Sequence, residues 1–204
     1  MNFEVLTHSS ILLDDCIYID PYLIKEEKHN AKVIFITHSH YDHFSWEDIE
    51  KIQNENTWFV APLDVASELL KKGLENRLVA VAPNCKYVVC NIPFETFGAY
   101  NIDKKFHPQN NKWVGYNILL DNKKYAILGD TDENEDNRKI KCDVLFIPIG
   151  GTYTMDAKQA AILANKIEPE IAVPTHYACI VGTKEDADIF KEHLSDKIEC
   201  KTFI

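Results

Sequence analysis

The densest chemistry in this chain is six residues long. His38-Ser39-His40-Tyr41-Asp42-His43 follows directly on the apolar run Val33-Ile34-Phe35-Ile36. Three imidazoles and a carboxylate are thereby placed where a strand should run out into a loop. Imidazole nitrogen and carboxylate oxygen form the donor set of catalytic zinc sites, and manganese or iron accepts the same atoms.

Such a loop needs further donors, and strands ending at a common edge would deliver them. The first twenty residues read as strands Phe3–Thr7, Ser10–Leu13 and Cys16–Asp20, with a tight turn at Asp14-Asp15. Val33–Ile36 is apolar throughout, as befits a strand covered on both faces. Ser45 is placed to cap a helix reaching about Asn54, and Pro62 to open one that ends before Gly73. Strands follow at Thr57–Ala61, Leu78–Val81, Lys86–Cys90 and Glu95–Tyr100, then a polar loop from Asn101 to Lys112. A hairpin turning at Asp121-Asn122 joins Val114–Leu120 to Lys124–Leu128. Buried strands at Asp143–Pro148 and Ile171–Pro174 flank a helix opened by an Asp156/Gln159 capping box. Thr183 is expected to cap the last helix, before a terminal strand near Ile198–Thr202. Strands interleaved with helices, with hairpins in each half, make an α/β sandwich with sheet in the middle.

In α/β folds ligands gather beyond the carboxyl ends of strands. Asp20, His38, Asp130 and His176 each follow a short apolar run in this way, and His107 lies on the loop before the hairpin. His8, in the turn after the first strand, suits the same pocket and a surface turn equally well. His29 and His193 lie in charged segments and are given no role.

The composition narrows the classes of function. With 204 residues and 46% hydrophobic content the chain suits one well-buried domain. A net charge of −10 repels phosphate backbones, so a polynucleotide substrate is disfavoured. No apolar run is long enough to span a bilayer, and Met1-Asn2-Phe3-Glu4 lacks the features of a signal peptide, so a cytoplasmic chain is expected. The six cysteines are scattered and read as thiols, not as a disulfide framework.

Taken together, Asp20, His38-x-His40-x-Asp42-His43, His107, Asp130 and His176 resemble the five motifs of the metallo-β-lactamase-fold hydrolases, and most of all their small lactonase-like branch. Supporting stretches include Ile19-Asp20-Pro21-Tyr22, Ala99-Tyr100-Asn101, Gly129-Asp130-Thr131-Asp132, Pro148-Ile149-Gly150-Gly151 and Pro174-Thr175-His176-Tyr177. The resemblance implies a four-layer αββα sandwich with a metal site at the strand-end edge between two sheets. It implies two divalent ions, zinc foremost, with manganese or iron as substitutes. His38, His40 and His107 would hold the first; Asp42, His43 and His176 would hold the second; Asp130 would bridge them. His107 departs from the family's pattern, since Phe-His-Pro stands where Gly-His-Thr is usual. Asp20 would orient the histidine loop by accepting hydrogen bonds from it.

Two divalent ions about 3.5–4 Å apart activate a shared water and polarise the bond under attack. Asp42 and Asp130 would offset the cationic charge, and Tyr177 or Tyr153 would offer a hydroxyl to the developing oxyanion. The implied activity is hydrolysis of an ester, lactone, amide or phosphodiester bond in a small molecule. The alternatives are a non-catalytic metal-stabilised binding protein and an iron-dependent redox member of the same fold. Trp113, Tyr100, Phe106 and Tyr153 would line the site, with Lys112 or Arg138 facing an anionic group. Substrate identity, the native metal and oligomeric state are left open.

Overall fold

The computed structural model describes residues 2–204. Two sheets face one another. The first follows chain order: β1 (Phe3–Thr7), β2 (Ser10–Leu13), β3 (Ile17–Ile19), β4 (Val33–Phe35), β5 (Trp58–Pro62) and β6 (Leu78–Val81). The second contains β7 (Lys86–Val89), β8 (Ile92–Gly98), β9 (Val114–Leu120), β10 (Lys123–Ile127), β11 (Val144–Pro148), β12 (Ile171–Thr175) and β13 (Glu199–Cys200), ordered β13-β12-β11-β10-β9-β8-β7. Helices α1 (Trp46–Ile52) and α2 (Leu63–Lys71) cover the first sheet, and α3 (Ala157–Ile167) and α4 (Glu185–His193) cover the second. This is the expected αββα sandwich.

The period-two geometry of strands explains why the central ones read as unbroken apolar runs. In β4, Val33 and Phe35 enter the core between the sheets, while Ile34, with Ile36 just beyond the strand, packs under α1 and α2. In β11, Val144 and Phe146 face the inter-sheet core, and Leu145 and Ile147 face α3 and α4. Each strand needs an apolar residue at every position because both of its faces are covered.

Strand direction then decides where chain ends gather. β3, β4 and β5 are parallel, as are β10, β11 and β12. β1 is antiparallel to β2, and β2 to β3, so β1 runs with β3. The segments that follow β1, β3, β4, β10 and β12 therefore emerge along one seam. Two bonds stitch that seam across the sheets: Val114 N–H donates to the Thr37 carbonyl at 3.2 Å, and the Tyr116 hydroxyl to the Ile36 carbonyl at 2.6 Å.

Local expectations fare well, with two corrections. Ser45 caps α1, and Asp156 with Gln159 forms the capping box of α3. The cap expected at Thr183 is absent: α4 begins at Glu185, and the Asp186 carboxylate reaches back to accept the Thr183 N–H at 2.7 Å. β8 starts at Ile92, earlier than Glu95, because Cys90 and Asn91 both take left-handed φ (48° and 63°) and close a two-residue hairpin with β7. Pro93 is tolerated there because the β8–β9 pairing begins only at Phe94. All six cysteines are free thiols. No helix among the described residues is long and apolar enough to cross a membrane.

Gly150, just past β11, is required for close approach: a Cβ there would lie 2.2 Å from the His176 carbonyl oxygen. The obstructing oxygen belongs to the backbone and a Cβ is fixed to it, so no flexible side chain can relieve the clash. Gly150→Ala is expected to cost about 1–3 kcal/mol, as overpacking does. The measurement is the midpoint of urea unfolding, and an unchanged midpoint would refute the packing argument.

Candidate metal centre

The histidine loop is held from beneath by one carboxylate. Asp20 is fully buried at the end of β3; its Oδ1 accepts the Thr37 N–H at 2.7 Å. Its Oδ2 accepts the Thr37 hydroxyl at 2.6 Å and His43 Nδ1–H at 2.8 Å. Having given its proton to Asp20, the Thr37 hydroxyl accepts from His38 Nδ1 at 3.0 Å. Those two contacts fix both imidazoles: Nδ1 carries the hydrogen, and Nε2 turns toward the seam. Asp20 thus has the orienting role expected of it.

Two groups of donors meet at the seam. In the first, His40 Nδ1 stands 3.1 Å from His38 Nε2 and 3.1 Å from His107 Nε2. The second brings together Asp42, His43, His176 and His8. Asp42 Oδ2 lies 3.6 Å from His43 Nε2, 3.7 Å from His176 Nε2 and 3.1 Å from His8 Nε2. Asp130 reaches both groups. Its Oδ2 is 3.2 Å from His107 Nε2 and 3.0 Å from His176 Nε2, and its Oδ1 is 3.3 Å from His43 Nε2.

These residues fit a divalent cation on chemical grounds. His43 Nε2, His176 Nε2 and Asp130 Oδ1 are buried and have no hydrogen-bond partner despite lying so close to one another. An orphaned buried polar atom costs about 1–3 kcal/mol, and a shared cation satisfies several at once. The electrostatics agree. Burial opposes ionisation of Asp130, but the imidazoles of His176 and His43 outweigh it and hold the carboxyl well below its usual range. Asp42 behaves alike: against burial, His176 and His8 keep it ionised. Burial drives His38 well down, so it stays neutral with Nε2 bare. His43 is pushed well up instead, because the Asp130 and Asp20 carboxylates on either side overcome its burial.

His107 joins the first group despite its unusual context. Asn101 bends the loop back: its N–H donates to the His107 carbonyl at 2.9 Å, and its amide donates to the carbonyls of Phe106 and Tyr153 at 3.0 and 2.7 Å. The same amide nitrogen lies 3.3 Å from His107 Nδ1, leaving Nε2 toward Asp130. Asp20, His107, His176 and His8 all take left-handed φ, between 47° and 57°. Strain of this kind persists only where the surroundings over-determine it, and it clusters at functional sites.

The structure corrects one assignment. Tyr177 does not face the seam: it is fully buried in the core under α3 and α4, and its hydroxyl meets the Ile204 carbonyl at 3.4 Å. Val173 faces the inter-sheet core and Ala172 the helices, so continued alternation would send Tyr177 toward the sheets. The left-handed φ of His176 (57°) breaks it, leaving His176 on the metal side and Tyr177 on the helix side. Trp113 does line the site, its ring centroid 4.9 Å from those of His38 and His40, pinned by Nε1 donating to Asp64 at 2.8 Å. Phe106 and Tyr153 stack edge to face at 4.8 Å beside it. Arg138 is engaged elsewhere, its Nε donating to the Asn134 carbonyl at 3.0 Å. In the sequence Asn101 is visible only as part of a stretch, and His8 as a turn residue that suits the pocket and the surface equally well. The position of His8 at the end of a strand parallel to β3 was the signal available.

Asp20→Asn keeps the shape and removes a strong acceptor, so metal affinity should fall about 10–100-fold with the fold intact. Competition against a chromophoric chelator reads this directly, and unchanged affinity would refute the orienting role. A ligating nitrogen must be bare, so a cation must displace the proton that the two carboxylates hold on His43. Zinc titration of the chelator-stripped protein in weak buffer should release about one proton from this residue, and affinity should fall as pH falls. Proton-neutral uptake would contradict the assignment of His43.

Comparison with known proteins places the chain. The family model described as Beta-lactamase superfamily domain matches residues 2–176. A UPF0173 metal-dependent hydrolase of Thermococcus onnurineus is 30% identical, over 97% of this chain and 90% of the relative. Its counterpart in Methanosphaera stadtmanae is 26% identical, over 96% of this chain and 88% of the relative. Igni18, a novel metallo hydrolase from Ignicoccus hospitalis, superposes with a TM-score of 0.76 at 22% identity, covering 98% of this chain and 93% of that one, which shows a shared fold. With the donor groups and the sandwich in place, the chain belongs to the beta-lactamase superfamily domain family, among the UPF0173 metal-dependent hydrolases.

Proposed function

We propose that this chain hydrolyses an ester, lactone, amide or phosphodiester bond of a small molecule with two divalent ions, zinc foremost. His38, His40 and His107 would hold one ion, Asp42, His43 and His176 the other, and Asp130 would serve both. The observation that carries this reading is the reach of Asp130 into both donor groups, at 3.0 Å from His176 and 3.2 Å from His107. When bound, such ions supply Lewis acidity and lower the pKa of a water toward ~7.

The chain's own residues do the rest. Asp42 and Asp130, both ionised, offset the cationic charge. Trp113, held by Asp64, shields the imidazoles of His38 and His40 from solvent on one side. The Tyr22 ring lies 6.2 Å from that of His8 and 6.0 Å from that of Tyr41. A net charge of −10 favours a small substrate over a polynucleotide. The names of the relatives support a metal-dependent hydrolase.

His40→Ala and Asp130→Ala are expected to lose metal and turnover together, and wild type to carry about two ions per chain. Elemental analysis, paired with a screen of lactones, phosphodiesters and thioesters, reads both. Turnover persisting in a metal-free variant would overturn the proposal.

A further inference from the structure

His8 has more contacts with the second donor group than a turn residue needs. It is fully buried, follows β1, and takes a left-handed φ of 49°. The β1–β2 register breaks between Val5 and Thr7, just before it. Its Nε2 lies 3.1 Å from Asp42 Oδ2, the same oxygen that faces His43 and His176. Its carbonyl accepts the His176 N–H at 3.0 Å, and its ring centroid lies 4.1 Å from that of His176. One residue therefore restrains two members of the group, by side chain, backbone and ring.

The proton in the His8–Asp42 bond can be assigned. An ionised carboxylate only accepts, so the hydrogen sits on His8 Nε2. His8 Nε2 is already partnered by Asp42 at 3.1 Å, whereas His43 Nε2 and His176 Nε2 have no hydrogen-bond partner, so His8 is the donor to a ligand and those two are the ligands. Thr37 and Asp20 orient His38 and His43 with the opposite polarity, each accepting the imidazole's Nδ1–H. Asp42 gets the equivalent restraint from 34 residues away.

We infer that His8 is a positioning residue for the second ion: its Nε2–H fixes the Asp42 carboxylate while its backbone and ring fix His176. This rests on the two-ion reading above. It adds a residue just past β1 to the apparatus and makes the N-terminal hairpin part of the site.

Two variants separate the contributions. His8→Gln keeps an N–H donor near the Nε2 position, and His8→Phe keeps the ring but has no donor. The probe is zinc itself, titrated into chelator-stripped protein against a chromophoric chelator, which resolves the two binding steps. His8→Phe should weaken the second step about 10–100-fold and leave the first unchanged. His8→Gln should stay within a few-fold of wild type. A second step unaltered in His8→Phe would overturn the inference. So would equal loss in His8→Gln and His8→Phe, which would make His8 a ligand. If His8→Phe loses both steps through misfolding, His8→Asn takes its place, because its shorter amide cannot span to Asp42; a second step unaltered there would likewise overturn the inference. A wild-type protein with no second step would bring down the two-ion reading itself, and that result is visible before any variant is made.

Discussion

A carboxylate buried where two sheets meet sets the terms for everything around it. Taking an ionised group out of water costs several kcal/mol unless it is paired. Asp130 is 3% exposed, yet it is held ionised by imidazoles 3.0–3.3 Å away on three separate segments. Those segments must arrive at one point, and the parallel strands make them do so. The β4 and β12 ends bring His43 and His176, while the loop bent by Asn101 brings His107. Cross-sheet bonds from Val114 and Tyr116 keep the seam from sliding.

Holding the donors there requires unfavourable local geometry. Four site residues sit in the left-handed region, where a side chain is tolerated only if neighbours insist. The inter-sheet core supplies the insistence: Phe35 meets Phe94 and Tyr116 at ring distances of 5.1 Å, directly behind the histidine loop. A rigid floor of this kind turns short loops into precise ones. It also explains why Gly150 has no room for a methyl, since β11 must end against the His176 backbone.

The proton arrangement follows from the same framework. Asp20 and Thr37 settle which nitrogen of His38 and His43 turns toward the seam before any cation arrives, and His8 settles the carboxylate of Asp42. The site is therefore organised by hydrogen bonds behind each donor as much as by the donors. Its aromatic surround is held in the same way, with Trp113 anchored through Asp64.

Much of this was legible in the amino-acid order. Donor types, their crowding into His38–His43 and the ends of apolar runs all follow from local pattern, because strand period and turn chemistry act over a few residues. An α/β sandwich with sheet in the middle was legible for the same reason, since strands apolar at every position need cover on both faces; its four-layer αββα form came from the family resemblance. Tertiary structure alone decided which distant groups touch. The His8–Asp42 bond spans 34 residues and the Asn101–Tyr153 bond 52, separations over which no periodicity carries information. Tyr177 shows the limit most plainly. Adjacent to His176 in sequence, it packs under the helices, because the left-handed φ of His176 breaks the alternation that β12 would otherwise continue.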